Sequence, residues 1–181
     1  MKLQASLSQR SINHLIGEVK KYRLSLPIKT EVFVRKLLDE GIKVAYAHVP
    51  GRYSGYVEFT KDGYSNSRQT VGILVGSDSK TFISKWVLKD GTEREAKVSG
   101  LLMSEFGSGW LADVRWNVTG VGQGTFPEQT HATDPDGWYW TDLDGTRHHS
   151  IGEAPTYPMY YADMAMLSKI ETIAREVFNG I

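Results

Sequence analysis

The residues best suited to chemistry are histidines and aspartates between positions 131 and 149. His148 and His149 are adjacent, and several aspartates separate them from His131. Imidazole and carboxylate groups are the side chains that bind zinc and similar metals. Neighbouring residues on a strand point to opposite faces, however, so the adjacent histidines cannot easily bind one ion. The H-E-x-x-H spacing is also absent, and the pattern favours exposed polar residues over a metal site.

Other segments match known functional motifs only in part. Residues 134–137 (Asp-Pro-Asp-Gly) and 142–145 (Asp-Leu-Asp-Gly) lack the third acid and the later Glu of a calcium loop, and ordinary turn chemistry accounts for them. Residues 120–125 are rich in glycine but lack the lysine of a phosphate-binding loop. Ser108 lies in Gly-Ser-Gly, which differs from the G-x-S-x-G of a hydrolase. The sequence therefore predicts no catalytic residue, no metal and no cofactor.

An aromatic cluster, Trp138, Tyr139 and Trp140, lies in the same segment. Alternation along a strand would bury Tyr139 on one face and leave both tryptophans on the other. Such a cluster either forms a small core under a long loop or anchors an interface, where Trp and Tyr are enriched. The residue types leave both alternatives open. The candidate interface consists of these three residues with His148 and His149.

The length and composition predict a single domain. The chain has 181 residues, no cysteine, and 21 Lys and Arg against 21 Asp and Glu. One domain over residues 1–181, with an extended loop insertion at about 107–155, suits this length. The absence of cysteine excludes disulfides, thiol catalysis and thiolate metal sites. No segment approaches the roughly 20 apolar residues of a membrane-spanning helix, so we expect no membrane partner.

The zero net charge is divided between two parts of the chain. Residues 1–100 hold 17 Lys and Arg against 10 acids, a net charge of +7, whereas residues 101–181 hold 4 against 11, a net charge of −7. The basic part lacks the strongly basic balance of a dedicated nucleic-acid binder. If the two parts remain separate after folding, the acidic loop of one copy would meet the basic helices of the next. High salt would then weaken that contact.

Hydrophobic spacing predicts an α+β fold. Ser8 or Ser11 caps an N-terminal helix, and Pro27 interrupts it and opens a second helix. Strand patterns follow without intervening helices, which favours an antiparallel β-meander of about four strands. After a short strand at 56–59, these strands cover residues 70–75, 82–88, 92–98 and 101–106.

Turn signals place two hairpins in this predicted fold. Asp90-Gly91 joins two of the meander strands. Residues 107–155 form a long Gly- and Trp-rich loop, in which 138–140 pairs with 146–151 as a second, smaller hairpin. A C-terminal amphipathic helix follows Pro158 and carries an apolar stripe up to Phe178.

Three short motifs stand in order along the chain: E-F-G-S-G at 105–109, G-W-Y-W at 137–140 and P-M-Y at 158–160. With the basic N-terminal helical segment and the last amphipathic helix, they resemble the tail-component family of long-tailed phages of the Hong Kong ninety-seven lambdoid type. The resemblance covers roughly residues 8–178, with an enlarged loop between Gly109 and Gly152 that is similar to relatives from Gram-positive hosts. The residues of the family motif in this chain are Glu105, Phe106, Gly107, Gly109, Pro158 and Met159.

These motif residues suit structural roles. Gly107 and Gly109 let the chain turn sharply into the loop. Glu105, if buried on an apolar strand, needs a partner, for which the N-terminal cations are candidates. Pro158 suits the first turn of the last helix, where its missing N–H costs nothing. None of these roles is catalytic.

The resemblance implies a non-enzymatic virion protein of the head–tail joining region, or neck, that completes or closes the tail. It implies a ring of six copies around the DNA channel, with DNA only as cargo, in contact with adjacent neck, connector or tail-tube proteins. Its location would be the virion tail, and the host cytoplasm during assembly. Two alternatives remain: a tail terminator or stopper of the same neck, and a small metal-dependent hydrolase that uses the His- and Asp-rich loop.

Overall fold

The computed structural model describes residues 8–113 and 133–179. The chain begins with one 40-residue helix, α1 (Gln9–His48), which is about 60 Å long. Ser8 is its N-cap and accepts a hydrogen bond from the Ser11 N–H at 3.2 Å. The prediction of two helices divided at Pro27 is wrong, because α1 continues through Pro27. An interior proline removes one backbone hydrogen bond of the helix and costs roughly 3 kcal/mol, which lowers the stability of a helix without necessarily ending it.

Two strands lie against the C-terminal half of α1. Strands β1 (Val57–Ser65) and β2 (Thr70–Asp78) form an antiparallel hairpin of their own. The Tyr46 ring of α1 meets the Phe59 ring of β1 edge to face at 5.0 Å, and its hydroxyl accepts the Phe59 N–H at 3.1 Å. The hairpin therefore sits on the helix through both an apolar and a polar contact.

A second sheet contains four strands, which come from two hairpins. Strands β3 (Phe82–Val87) and β4 (Glu93–Val98) form the hairpin predicted at Asp90-Gly91, where Gly91 has φ 83°. Further along the chain, β6 (Trp138–Thr141) and β7 (Arg147–Ser150) form the predicted smaller hairpin, and β6 pairs with β3, so the strand order is β4-β3-β6-β7. The two hairpin predictions are confirmed. The expected continuous meander is wrong, since β1 and β2 form a separate sheet.

Residues 101–106 are helical and not a strand. Helix α2 (Gly100–Phe106) is capped by Ser99, whose side chain accepts the Leu102 N–H at 3.1 Å. It ends at Gly107, which has φ 70° and donates its N–H to the Met103 carbonyl at 3.0 Å. The periodicity of a short apolar run does not distinguish a strand from a buried helix. Here the capping residues Ser99 and Gly107 favour the helix. A two-stranded sheet follows, formed by β5 (Ser108–Gly109) and β8 (Gly152–Glu153).

The chain ends in helix α3 (Pro158–Asn179), which runs antiparallel to the C-terminal half of α1. Tyr161 stacks on His48 at 4.3 Å, and Phe178 meets Phe33 at 5.8 Å. Gly41 of α1 allows the helices to approach closely, since a Cβ there would lie 2.9 Å from the sulfur of Met166. The buried core combines residues of α1, of the segment that follows it, of the sheets β1–β2 and β3–β4, of α2 and of α3: Ala45, Val49, Tyr53, Val57, Phe59, Ala96, Val98, Met103 and Ala162.

The architecture confirms the α+β class, with helices at both ends of the chain and antiparallel strands between them. Among the helices of the described residues, none combines the length and the apolar character needed to cross a membrane. The core therefore brings together elements that are far apart in sequence, with α3 returning onto α1.

We expect Gly152→Ala to lower the free energy of unfolding by about 3 kcal/mol. Gly152 has φ 108°, and a Cβ would overlap the Ser108 carbonyl oxygen across the β5–β8 pair. Urea unfolding followed by circular dichroism measures the loss. The matched control is Gly145→Ala, whose φ is 82° but whose Cβ meets nothing within 4 Å, so only about 1 kcal/mol of backbone strain is expected. Equal losses would contradict the proposed overlap.

Candidate functional site

The Glu105 carboxylate caps the N-terminus of α3. Its two oxygens accept the N–H of Met159 at 2.7 Å and that of Tyr160 at 3.2 Å. The first N–H groups of a helix have no partner within the helix and carry partial positive charge, so a carboxylate suits them. The expectation that an N-terminal cation pairs with Glu105 is therefore wrong, because its partners are backbone groups of α3. Burial outweighs these two hydrogen bonds and raises the pKa of Glu105.

Gly107 and Gly109 turn the chain immediately after α2. They have φ 70° and 60°, values that favour glycine. A Cβ on Gly107 would overlap the Glu153 carbonyl oxygen, and one on Gly109 would lie 2.9 Å from the Trp138 ring. The predicted turning role is supported by these values, and the close approach of β8 is a second reason for glycine. Phe106 is half-buried, and its carbonyl accepts the Asp113 N–H at 3.0 Å.

The residues before α3 are held against α2. The Ser104 carbonyl accepts the N–H groups of Thr156 at 2.7 Å and of Tyr157 at 3.1 Å. Tyr157 has φ 53°, a conformation that is unusual for an aromatic residue, and its hydroxyl donates to Asp113 at 2.8 Å. Pro158 follows as the first residue of α3 and is buried, as the missing N–H of proline permits. The start of α3 is therefore held by hydrogen bonds both to the residues before it and to its own first turn.

An apolar groove of about 330 Å³ lies beside this cap. It is lined by side chains of α2 and of the first turn of α3: Leu101, Leu102, Glu105, Phe106, Met159 and Tyr160. Glu105, Phe106 and Met159 thus share one surface at the junction of α2 and α3. Residues separated by about fifty positions in the sequence meet there.

Sequence reasoning missed a buried acid next to this junction. Glu153 is only 12% exposed, accepts a hydrogen bond from the Tyr53 hydroxyl at 2.8 Å, and forms an ion pair with Arg52. Burial, followed by this hydrogen bond, raises the pKa of Tyr53. The adjacent Arg52 and Tyr53 follow α1, so no local signal could have indicated Glu153 as their partner. The interaction attaches β8 to the segment that follows α1.

The candidate interface residues divide between the two faces of the β6–β7 hairpin. Trp138 and Trp140 are half-buried, and the Trp140 ring stacks on His148 at 4.4 Å. Tyr139 is 62% exposed and lies 4.6 Å from the His149 ring. The expectation that Tyr139 is buried is wrong: alternation holds, but the tryptophans are on the inner face, where Trp138 covers Gly109. The structure thus combines the small core and an outward aromatic surface.

The outer face of the hairpin carries Tyr139 with polar neighbours. The Arg147 guanidinium lies 4.3 Å from the Tyr139 ring, within cation–π distance. His149 contacts the Asp136 carbonyl oxygen through Nε2 at 2.7 Å. Leu143, at the tip of the hairpin, is also exposed. This face is therefore an exposed surface that combines an aromatic ring with charged and polar side chains, a composition that suits a protein contact.

The two acidic turns have the predicted turn geometry. Asp134 accepts the N–H of Asp136 at 2.9 Å, and Asp142 accepts that of Asp144 at 3.0 Å. The Asp142 carboxylate also contacts His148 Nε2 at 2.8 Å, and this bond, followed by that from the Thr146 N–H, lowers the pKa of Asp142. These carboxylates are thus occupied by turn and hairpin contacts.

The structure separates the histidines that suggested a metal site. His148 contacts Trp140 and Asp142 on the inner face, whereas His149 contacts Tyr139 on the outer face. Within residues 8–113 and 133–179, no three His, Cys, Asp or Glu side chains group as metal ligands. His131 and the glycine-rich stretch 120–125 lie outside the described residues. Ser108 is buried within the β5–β8 pair.

Comparison with known proteins returns no match, whether by protein-family models, by curated proteins or by solved structures.

We expect Glu105→Ala to lower the free energy of unfolding by about 1 kcal/mol, because two N–H groups of α3 lose their acceptor. Glu105→Gln keeps one carbonyl oxygen and should lose less. Urea unfolding of both variants gives the comparison. The control is Glu93→Ala at an exposed strand position, with little expected effect. A loss in Glu105→Ala no larger than in the control would show that the cap contributes nothing.

The raised pKa of Glu105 predicts a pH dependence of stability. Its carboxyl binds a proton more tightly in the folded state than in the unfolded state, whose pKa is near the ordinary value of 4.5. Its contribution to stability is therefore fully present below that value and is lost as the pH rises through the raised pKa. The stability of the wild-type chain relative to Glu105→Gln, which does not titrate there, should therefore fall as the pH rises from the ordinary value of 4.5 through the raised pKa of Glu105. A difference that rises with pH would contradict the assignment.

Proposed function

We propose that this chain is a non-enzymatic structural protein of a phage neck, which completes or closes the tail as one subunit of a ring around the DNA channel. One observation carries the proposal. The motif residues that resemble the tail-component family, separated in sequence, meet where Glu105 caps the helix that starts at Pro158-Met159. The contact gives both motifs a structural role in this subunit, and that supports the proposal.

The exposed surface supports a role in assembly. The β6–β7 hairpin presents Tyr139 on its outer face and Leu143 at its tip, and α3 presents Tyr160, Met164 and Leu167 to solvent. Scattered apolar side chains are normal on a monomer, but exposed aromatic residues on hairpins and helices are typical contact residues of interfaces. In a ring each subunit binds two neighbours, so modest contacts add up to a stable joint.

The charge distribution supports the same function. The basic residues of the chain belong largely to α1 and the first four strands, and the acidic excess belongs to residues after α2. This separation of charge favours contact between the basic part of one copy and the acidic part of another, and it opposes contact between two basic or two acidic parts. DNA would pass through the ring as cargo, and assembly would occur in the host cytoplasm before the subunit enters the virion.

The position of the subunit in the particle tests this function. If the proposal is correct, phage particles made without the chain should accumulate as separate heads and tails, and supplying the wild-type chain should join them. A cryo-EM map of the neck should then show ring density that the subunit fits, between the connector and the tail tube. Full infectivity without the chain, or a position elsewhere in the particle, would contradict the proposal. Stoichiometric metal in the purified protein would instead favour a metal-dependent enzyme.

A further inference from the structure

The first half of α1 extends beyond the elements that pack on the second half. Helix α3 runs antiparallel to α1, and its last aromatic residue, Phe178, lies opposite Phe33. The groove between α1 and the β1–β2 hairpin begins at Glu31. Within the part of the chain that the structure describes, α3 and this groove stop short of residues 9–28, called the arm below, which make up about 30 Å of helix.

The arm carries apolar side chains that the subunit itself leaves exposed. Val19 is 50% exposed, Leu24 77% and Ile28 69%, and Ile12 and Ile16 are exposed as well. Ile12, Ile16 and Val19 recur at helical spacing and form a stripe along the arm. Most of the stability of a helix in a protein comes from packing of its apolar face, and the arm also contains a glycine and a proline, which lower its helix propensity. The arm thus has the character of a helix that needs a partner surface.

The arm is also basic. It holds four Lys and Arg against one Glu, a net charge of +3. Lys20 and Arg23 are exposed and lie one helical turn after Ile16 and Val19, so they border the apolar stripe. Two arms in contact would bring these like charges together, which disfavours an arm–arm pairing. The surface that covers the stripe should therefore be acidic and partly apolar.

The chain presents such a surface at residues 134–150, called the hairpin segment below. It holds four Asp against one Arg, a net charge of −3. Asp136 and Asp144 are exposed, as are the apolar side chains of Tyr139 and Leu143. The hairpin segment therefore matches the arm in both respects, with opposite net charge and with exposed apolar groups between the charges.

We propose that the arm of one copy binds the hairpin segment of a second copy. Both surfaces are exposed in the single subunit, which makes each of them accessible to a second copy. A contact between unlike surfaces is head to tail, and repetition of such a contact generates a ring when the rotation closes. The proposal deepens the proposed function and rests on it only for the claim that the ring lies in a phage neck.

Charge reversal on each surface tests the contact. Sedimentation at low salt should show wild-type self-association, which high salt weakens. Lys20→Glu with Arg23→Glu, on the arm, should weaken it by about tenfold or more, and so should Asp136→Lys with Asp144→Lys, on the hairpin segment. The reversed side chains make neither the turn hydrogen bonds of Asp134 and Asp142 nor a helix cap, and circular dichroism checks the fold.

A mixture of the two variants should associate again, because a reversed arm then meets a reversed hairpin segment. The control reverses Lys80 and Lys89, two exposed cations outside both surfaces, and should leave association unchanged. A hairpin variant that associates like the wild type, a mixture that does not recover, or a wild-type chain that stays monomeric at the highest attainable concentration would each overturn the proposal.

Cross-linking locates the contact directly, because the chain contains no cysteine of its own. Ile16→Cys and Leu143→Cys, made in separate copies and mixed under oxidising conditions, should give a mixed disulfide dimer. Replacing Leu143→Cys by Ile83→Cys, at an exposed position on β3, should not. Equal yields from both mixtures would contradict the contact.

The two proposals can fail separately. If both charge-reversed variants still join heads to tails normally, the arm contact is refuted and the neck function is not. If the chain associates through the arm but is found in no phage particle, only the neck function is refuted.

Discussion

The hydrogen bonds between the Glu105 carboxylate and the first N–H groups of α3 connect the end of α2 to the start of α3. The rest of the structure depends on this connection. These hydrogen bonds join two elements separated by about fifty residues and satisfy helix donors that have no partner within α3. With Ser104 holding Thr156 and Tyr157, they fix where α3 starts and in which direction it leaves α2. From that start α3 runs back along α1 and covers the core.

The same arrangement determines which surfaces remain exposed. Because α3 ends opposite Phe33, it covers only the C-terminal half of α1, and the arm is left without cover from it. Because Trp138 and Trp140 face inward, the hairpin exposes Tyr139, and exposed Asp136 and Asp144 lie in the turns on either side of β6. A basic apolar helix and an acidic aromatic hairpin are thus separate surfaces of one subunit. This separation is the physical basis for proposing head-to-tail assembly.

Sequence reasoning succeeded where structure is determined over a few residues. Asp90-Gly91 and residues 142–145 predicted both hairpins, since an Asp side chain and a glycine with positive φ close such turns locally. It failed at residues 101–106, because a short apolar run has no period that separates a strand from a helix. It also failed at Pro27, because an interior proline lowers the stability of a helix without necessarily ending it.

The sequence by itself determined the α+β class, the turn positions and the alternation that sends His148 and His149 to opposite faces. These features depend on side-chain periodicity and on backbone preferences within a few residues. Only the tertiary structure decided that Glu105 binds the N-terminus of α3, that Glu153 binds Arg52 and Tyr53, and that Tyr139 faces solvent. A buried acid selects whichever donors the fold brings near, and a strand buries whichever face meets the core. Both depend on contacts between segments that are distant in the chain.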